Sequence, residues 1–224
     1  MTSTTDPTLP HHVRPRIARL GSLHIAYDDR VLRPRPWTAA QADWAAELLA
    51  VAAPGPVLEL CTGAGHIGLL AILGNERRLI AVDADPVACD YARRNAAGAG
   101  LADRVEVRQA VLEEALAPEE QFPVIIADPP WVPSARTADH PDDPVRAIDG
   151  GDDGLVIARR CLEVARTHLA PRGAMLLQLG SVAQATELTH VLEFPLRITE
   201  VRQPSPTGVV VLVRRPDHDE PLSR

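Results

Sequence analysis

The sequence places an aspartate, two prolines and a tryptophan directly after an apolar run, in the stretch IIADPPW that ends at residue 131. Asp128 can accept a hydrogen bond from one N–H of a bound group, and the backbone carbonyl of Pro129 can accept a second. Pro130 stiffens the turn because its ring fixes one backbone dihedral, and Trp131 offers a flat apolar face to a planar group. This combination could hold a planar amide or amino nitrogen and stabilise the positive charge that develops as the nitrogen attacks an electrophile.

A purely structural interpretation of the same stretch is that the prolines end a strand and that Trp131 covers the edge of the core. The position of Asp128 favours a functional one. The apolar run before it predicts a central strand, and open α/β sheets bind their ligands at the carboxyl ends of the strands.

A glycine-rich segment, VLELCTGAGHIGLLA, supplies the second group of candidate residues. Gly63, Gly65 and Gly68 follow an apolar run at the start of a helical pattern, and Asp83 ends the next apolar run. Small residues let a ligand approach the backbone, and an acid at that place can bind both ribose hydroxyls. Taken alone, this pattern is also compatible with a nicotinamide dinucleotide as the ligand. Glu59, a carboxylate inside the strand, instead favours a ligand that bears a cationic amino group.

A parallel sheet is needed to bring these residues together. From residue 54 onward, short apolar runs alternate with helical patterns, as is typical of βαβ units. Asp85 followed by Pro86 predicts the start of one helix. We predict strands near 56–61, 79–83, 104–108, 123–128 and 174–179, and helices at 39–53, from 86 and at 155–169. Two further strands, in PLRITEVRQ and TGVVVLVRR, are separated by a turn too short for a parallel crossover. The predicted fold is a doubly wound, mostly parallel seven-stranded sheet with an antiparallel C-terminal hairpin.

Length and composition predict one globular domain. The chain has 224 residues, of which 46% are hydrophobic and 24% charged. We predict an N-terminal extension over 1–37, mobile in its first ten or so residues and with a small hairpin in RIARLGSLHIAYDDRV, a domain over 38–216 and a tail over 217–224. No apolar run approaches membrane-spanning length and no export signal is evident, so we expect no membrane contact and a cytoplasmic location.

Charge and cysteine content argue against several classes of protein. The net charge is −7, and every residue among the lysines and arginines is an arginine. The negative net charge disfavours a protein that binds long nucleic acid through its phosphates. The three cysteines are odd in number and far apart, which argues against a disulfide framework and a zinc site. The histidines lack the spacing of a helical metal site. We therefore expect no metal.

The glycine segment and the strand-end acid, followed two strands later by the DPPW run, resemble the class I S-adenosylmethionine-dependent methyltransferases. The resemblance implies that this cofactor is bound and converted to S-adenosylhomocysteine. Glu59 and residues 61–65 would lie against the methionine part, Asp83 would hold the ribose, and Val111 with Leu112 would pack on the adenine. Cys61 occupies the place of the first glycine of the family. The implied cofactor-binding residues are Glu59, Cys61, Thr62, Gly63, Ala64, Gly65, Asp83, Ala84, Val111, Leu112, Asp128 and Arg35.

A narrower resemblance covers roughly residues 30 to 215. The segments VLRPRPWT, AVDADPVACDYARRNA, DPPW and AIDGGDDGL look like those of the release-factor glutamine N5-methyltransferases, which read PRPET, NPPY and GGxDGL in the same order. In this chain Trp37 replaces the Glu of PRPET, Asp128 replaces the Asn of NPPY, and Trp131 replaces the Tyr of NPPY. Arg35 and Trp37 would close over the methionine end. The implied catalytic residues are Asp128, Pro129 and Trp131, and the implied acceptor-binding residues are Pro130, Trp131 and Trp37.

These resemblances imply transfer of a methyl group to a planar amide or amino nitrogen, as in the methylation of a protein glutamine. Three other functions stay open at this point. The chain could methylate the amino group of adenine or guanine in rRNA or DNA, although the acidic charge balance disfavours nucleic acid. It could methylate a small metabolite, or it could bind the cofactor without catalysis as a subunit of a larger assembly. The sequence leaves the oligomeric state open.

Overall fold

A seven-stranded mixed sheet lies at the centre of the computed structural model, which describes residues 15–192, 194–206 and 208–216. The strands are β1 (Arg16–Leu20), β2 (Leu23–Tyr27), β3 (Val57–Leu60), β4 (Leu79–Asp83), β5 (Val105–Gln109), β6 (Phe122–Ala127), β7 (Leu169–Leu179), β8 (Arg197–Ser205) and β9 (Gly208–Arg214). The helices are α1 (Ala39–Val51), α2 (His66–Ile72), α3 (Pro86–Gly98), α4 (Val145–Ile148), α5 (Val156–His168) and α6 (Val182–Val191).

The strand order β5-β4-β3-β6-β7-β9-β8 brings the predicted site residues to one edge of the sheet. The first five strands in this order are parallel, whereas β9 runs antiparallel to both β7 and β8. The chain leaves β3 toward β4 and β5 and then returns to β6 on the other side of β3. Ligands of doubly wound sheets bind at such a switch point. The predicted fold class is confirmed.

Two apolar clusters cover the opposite faces of the sheet, because successive strand side chains point to opposite sides. Val57 belongs to the cluster formed with β2, α1, α2 and α3, while the adjacent Leu58 belongs to the cluster formed with α5 and α6. Both side chains are fully buried. Burial on both faces explains why the parallel strands read as continuous apolar runs rather than as alternating ones.

β7 begins five residues earlier than the predicted start at 174. Phe122 of β6 pairs with Leu169, whereas Val124 pairs with Ala174, so an irregular segment lies between the two pairs. This segment contains Pro171, which has no N–H for the ladder, and Arg172, whose φ is 61°. The sequence pattern marked the proline as the end of a helix and gave no sign that pairing begins before it.

The N-terminal hairpin of β1 and β2 packs against α3, and Asn95 of that helix forms hydrogen bonds with it. The Asn95 side chain accepts from the Ala26 backbone N–H at 2.8 Å and donates to the Ala26 carbonyl at 2.9 Å. It also donates to the Ala64 carbonyl at 2.9 Å, so the hairpin is tied to the glycine segment. The predicted hairpin is thus present and packed on the domain. The first ten residues, predicted to be mobile, and the predicted tail lie outside the described residues.

None of the helices in the described ranges is both long and apolar enough to cross a membrane.

Candidate active site

A cavity of about 230 Å³ opens at the carboxyl ends of β3, β4 and β6. Its wall contains most of the predicted site residues, namely Cys61, Thr62, Gly63, Ala64, Asp83, Ala84, Val111, Leu112, Asp128 and Pro130. The remaining predicted residues lie outside the wall, namely Glu59, Gly65, Arg35, Trp37, Pro129 and Trp131. The cavity therefore brings the glycine segment and Asp128 together, although the two are far apart in sequence.

The glycine segment forms a tight loop with unusual backbone angles. Gly63 and Gly65 have φ values of 53° and 81°, a region that glycine adopts readily. A Cβ added at Gly65 would lie 3.2 Å from Ala92, so this glycine also allows α3 to pack closely. Cys61 has a φ of 56°, which is strained for a residue with a side chain. A glycine, which the resemblance places at this position, would adopt this angle without strain.

Glu59 fixes the glycine loop through hydrogen bonds to its side chain. Its carboxylate accepts the Gly68 backbone N–H at 2.8 Å and the hydroxyl of Thr62, and the side chain is only 2% exposed. Burial raises the pKa of the Glu59 carboxyl to about 7. A Cβ added at Gly68 would lie 2.5 Å from a Glu59 oxygen, so only glycine fits there. The structure places Glu59 behind the cavity wall, and its predicted contact with the methionine part of a ligand stays a prediction.

Asp83 reaches the cavity from the end of β4. One carboxylate oxygen accepts the Gly63 backbone N–H at 2.8 Å, and the other accepts the Asp85 N–H at 2.9 Å. Burial raises the pKa of Asp83. Asp85 in turn caps α3 by accepting the Val87 N–H at 2.9 Å, as the sequence predicts. The carboxylate that could hold a ribose is thus locked between the loop and the helix that follows.

Beyond Asp83, the segment after β5 provides an apolar part of the wall. The Ala110 N–H donates to the Asp83 carbonyl at 3.0 Å, which fixes the start of this segment. Val111 is 42% exposed and Leu112 is buried, and both line the cavity. This part of the wall suits a flat apolar ring.

Asp128 faces the cavity from the end of β6. The side chain is half-buried, and burial raises the pKa of its carboxyl to about 7. Within the described ranges, no hydrogen bond to this carboxylate is present. Both of its oxygens therefore keep their full acceptor capacity for a ligand, whereas each oxygen of Asp83 already accepts one backbone N–H and keeps one further acceptor position.

The turn after Asp128 is held by the segment around residues 148–154. The Val132 N–H donates to the Ile148 carbonyl at 2.9 Å, and the Gly150 N–H donates back to Val132 at 2.8 Å. A Cβ added at Gly150 would lie 2.7 Å from the Pro130 carbonyl oxygen. The GGDDG sequence is thus required for close backbone packing, and this role could not be inferred from the sequence.

Three predicted site residues pack against other parts of the protein and are not in the cavity wall, namely Trp131, Arg35 and Trp37. The Trp131 ring packs on Gly180, and its carbonyl accepts the Gln184 side-chain amide at 2.9 Å. Arg35 pairs with Asp143 at 2.5 Å, and its guanidinium lies 5.7 Å from the centre of a Trp37 ring. Both arrangements tie the segment after Asp128 to the rest of the domain. The predicted ligand contacts of these three residues stay predictions.

Several residues that the sequence did not single out also line the cavity, among them Arg30, His66, Arg146, Ile157 and Arg160. Arg30 pairs with Asp28, Arg146 with Asp85, and Arg160 with Glu113. These cations come from segments that reach the cavity only through tertiary packing. His66 follows Gly65 directly, so its position beside the glycine motif is the one signal that could have identified it.

Similarity to known proteins covers the glycine segment, Asp83 and Asp128. A family model described as a methyltransferase domain matches residues 57–140. The chain is 36% identical over 163 residues to the ribosomal protein uL3 glutamine methyltransferase of Bordetella pertussis, covering 68% of this chain and 53% of that protein. It is 30% identical over 170 residues to the release factor glutamine methyltransferase of Clostridium acetobutylicum, covering 73% and 59%. The chain thus spans little more than half the length of these relatives.

The fold has a similar counterpart among solved structures. The hMettl16 catalytic domain, crystallised in complex with a MAT2A 3'UTR hairpin, superposes with a TM-score of 0.68. The match covers 88% of this chain and 76% of that one at 19% sequence identity. At this identity the likeness shows the fold.

Proposed function

The chain belongs to the class I S-adenosylmethionine-dependent methyltransferases, and we propose that it methylates the side-chain amide nitrogen of a glutamine in a protein. Two relatives that are 30% and 36% identical carry names with this activity. We further propose that the protein works in the cytoplasm, where release factors and ribosomal proteins act. One observation carries the proposal: the Asp128 carboxylate, which has no hydrogen-bond partner among the described residues, shares a cavity with the glycine loop and Asp83.

The residues around the cavity fit S-adenosylmethionine. A Cβ added at Gly63 would meet no atom within 4 Å, so the loop backbone is open to close approach by a ligand. Asp83 offers carboxylate oxygens for ribose hydroxyls, and Val111 with Leu112 offers an apolar wall for adenine. The cofactor supplies an electrophilic methyl group on a sulfonium sulfur.

Asp128 and Pro129 would orient the acceptor nitrogen. The lone pair of an amide nitrogen is delocalised, so the nitrogen must be held while it becomes pyramidal. The Asp128 carboxylate can accept one N–H and the Pro129 carbonyl can accept another, and the carboxylate stabilises the positive charge that develops during attack. With its pKa raised to about 7 by burial, Asp128 can also take the proton that the nitrogen releases afterwards.

A methyl-labelling screen tests this proposal. Wild type and Asp128→Ala are incubated with labelled S-adenosylmethionine and separate pools of release factors, ribosomal proteins, RNA and small molecules. We expect label on a protein pool with wild type alone, and mass spectrometry should place it on a glutamine. Equal labelling by the two proteins would mean that the site is assigned incorrectly.

The amino group of a nucleobase is a second candidate acceptor, and the identity of residue 128 favours it. An amino group needs only acceptors, which a carboxylate supplies. A glutamine amide also presents a carbonyl oxygen that needs a donor, and Asp128 can donate only when protonated. We expect Asp128→Asn to keep part of the glutamine labelling, because its amide accepts one N–H and donates to the glutamine carbonyl, and to lose more of the nucleobase labelling. Comparison of this variant with wild type on the protein and RNA pools separates the two acceptors.

A further inference from the structure

His66 is a buried polar side chain of the cavity wall that the proposed function does not use. It is the first residue of α2 and only 9% exposed. Neither imidazole nitrogen has a hydrogen-bond partner among the residues that the structure describes, although both are buried. Buried polar groups in folded proteins are nearly always paired with protein, water or a ligand. Two unpaired nitrogens on a residue that lines a cavity therefore indicate a ligand that pairs with them.

The strand order indicates which part of the ligand His66 meets. Along the edge of the sheet, the segment after β5 with Val111 comes first and Asp83 of β4 next. The segment after β3, which carries His66, follows, and Asp128 of β6 is last. Under the proposed function, adenine lies toward Val111, ribose on Asp83 and the methyl group toward Asp128. The segment after β3 is left to the amino-acid part of the cofactor.

The chemistry of the imidazole matches that part. Burial lowers the pKa of His66 to about 4, so the ring is neutral near pH 7. A neutral imidazole has one N–H donor and one acceptor nitrogen. The amino-acid part of the cofactor carries a carboxylate that accepts and an ammonium that donates. Among the described residues no hydrogen bond is made by the ring nitrogens, so pairing with either group would break no existing hydrogen bond.

We propose that His66 is a cofactor-binding residue whose imidazole forms a hydrogen bond with the amino-acid part of S-adenosylmethionine. This inference rests on the proposed function, since it takes the cavity to be the cofactor site. The imidazole would recognise the amino-acid part of the cofactor, while Asp83 would bind the ribose.

Calorimetric binding of two ligands tests the role of His66. S-adenosylhomocysteine contains the amino-acid part, whereas 5′-methylthioadenosine lacks it. We expect His66→Phe to bind S-adenosylhomocysteine about tenfold more weakly than wild type, the loss expected for one unpaired hydrogen bond. Its affinity for 5′-methylthioadenosine should stay within about twofold of wild type. His66→Gln, which keeps a donor and an acceptor, should recover most of the loss.

Two controls separate binding from folding. His24 is exposed on the N-terminal hairpin, so His24→Phe should leave both affinities unchanged. His66→Phe removes two unpaired buried nitrogens, so the melting temperature of the cofactor-free protein should be equal to or above that of wild type. If His66 only stabilised the fold, its replacement would lower the melting temperature. His66→Leu carries the same binding prediction if the phenylalanine variant does not fold.

The outcomes distinguish this inference from the proposed function. Wild-type affinity for S-adenosylhomocysteine in the His66→Phe protein would overturn the role of His66 and leave the proposed function intact. An equal loss for both ligands would also overturn it, because the residue would then act through packing. A wild-type protein that binds neither ligand would contradict the proposed function itself.

Discussion

The carboxylates of Asp83 and Asp128 line the same cavity, yet only Asp83 is held in place by hydrogen bonds. Two backbone N–H groups bind Asp83, at 2.8 Å and 2.9 Å. Within the described part of the chain, Asp128 has none. We call residues 61–64 with Asp83 the glycine-loop wall, and Asp128 with Pro130 the Asp128 wall. In the Asp128 wall, the hydrogen bonds hold the backbone of the turn and leave the carboxylate free.

The difference assigns different tasks to the two walls. A wall whose polar groups are already paired presents a fixed surface and binds a ligand without rearrangement. A half-buried carboxylate without a partner is an unfavourable arrangement, which proteins keep at places where charge changes during a reaction. The glycine-loop wall would therefore bind the cofactor, and the Asp128 wall would act on the acceptor. Substitutions in the two walls should then affect different measurements.

The largest expected effect belongs to the Asp128 wall. We expect Asp128→Ala to lower kcat at least about 100-fold, because it removes the group that stabilises the developing charge. The affinity for S-adenosylhomocysteine should stay within about twofold of wild type. Asp103→Ala, at an exposed turn away from the cavity, is the matched control and should leave both quantities unchanged. A loss of cofactor affinity as large as the loss of kcat would remove the distinction between the walls.

Glu59 tests whether the glycine-loop wall depends on its internal hydrogen bonds. Glu59→Ala leaves the Gly68 N–H and the Thr62 hydroxyl without their partner, which should lower the free energy of unfolding by about 2–4 kcal/mol. The amide of Glu59→Gln can still accept the Gly68 N–H and can donate to the Thr62 hydroxyl. This variant should therefore lose less than about 1 kcal/mol of its free energy of unfolding. Urea unfolding measures both.

The same two variants decide whether Glu59 also binds the ligand. If it only supports the loop, the affinity of Glu59→Gln for S-adenosylhomocysteine follows its stability and stays close to wild type. A stable Glu59→Gln protein with much weaker affinity would show that the charge of Glu59 is needed by the amino group of the ligand.

The dependence of stability on pH should reveal the unfavourable burial of Asp128. Burial raises its pKa to about 7 in the folded protein, from about 4 in the unfolded chain. Between these values the folded state keeps a proton that the unfolded state has lost, so this contribution to stability falls as pH rises from about 4 to 7. Asp128→Asn should therefore melt about 2–4 °C higher than wild type near pH 8, and the difference should shrink near pH 5. Identical pH profiles for the two proteins would mean that Asp128 is well solvated.

The smallest expected effect concerns the strained Cys61. Because its φ is 56°, Cys61→Gly should be about 1 kcal/mol more stable than Cys61→Ala. The matched control is Cys89, which lies within α3. There the order should reverse, with glycine about 1 kcal/mol less stable than alanine. Chemical unfolding of the four variants gives both differences, and the same order at both positions would contradict the backbone strain at Cys61.

Much of the fold and of the glycine-loop wall can be predicted from the sequence because the determinants are local. The strand and helix patterns, the Asp85 cap and the spacing from Gly63 to Asp83 are each set within one βα unit. Contacts between distant segments cannot be predicted in this way. The packing of Trp131 on Gly180 is one such contact. The absence of hydrogen-bond partners for His66 among the described residues likewise depends on segments that are distant in sequence.

The central claim, that Asp128 acts on an acceptor beside the cofactor, is tested most directly by a crystal structure with S-adenosylhomocysteine. The account predicts adenine against Val111 and Leu112, ribose hydroxyls on Asp83, and the sulfur facing an open space that reaches the Asp128 carboxylate. A ligand bound elsewhere, or packed side chains between the sulfur and Asp128, would contradict it.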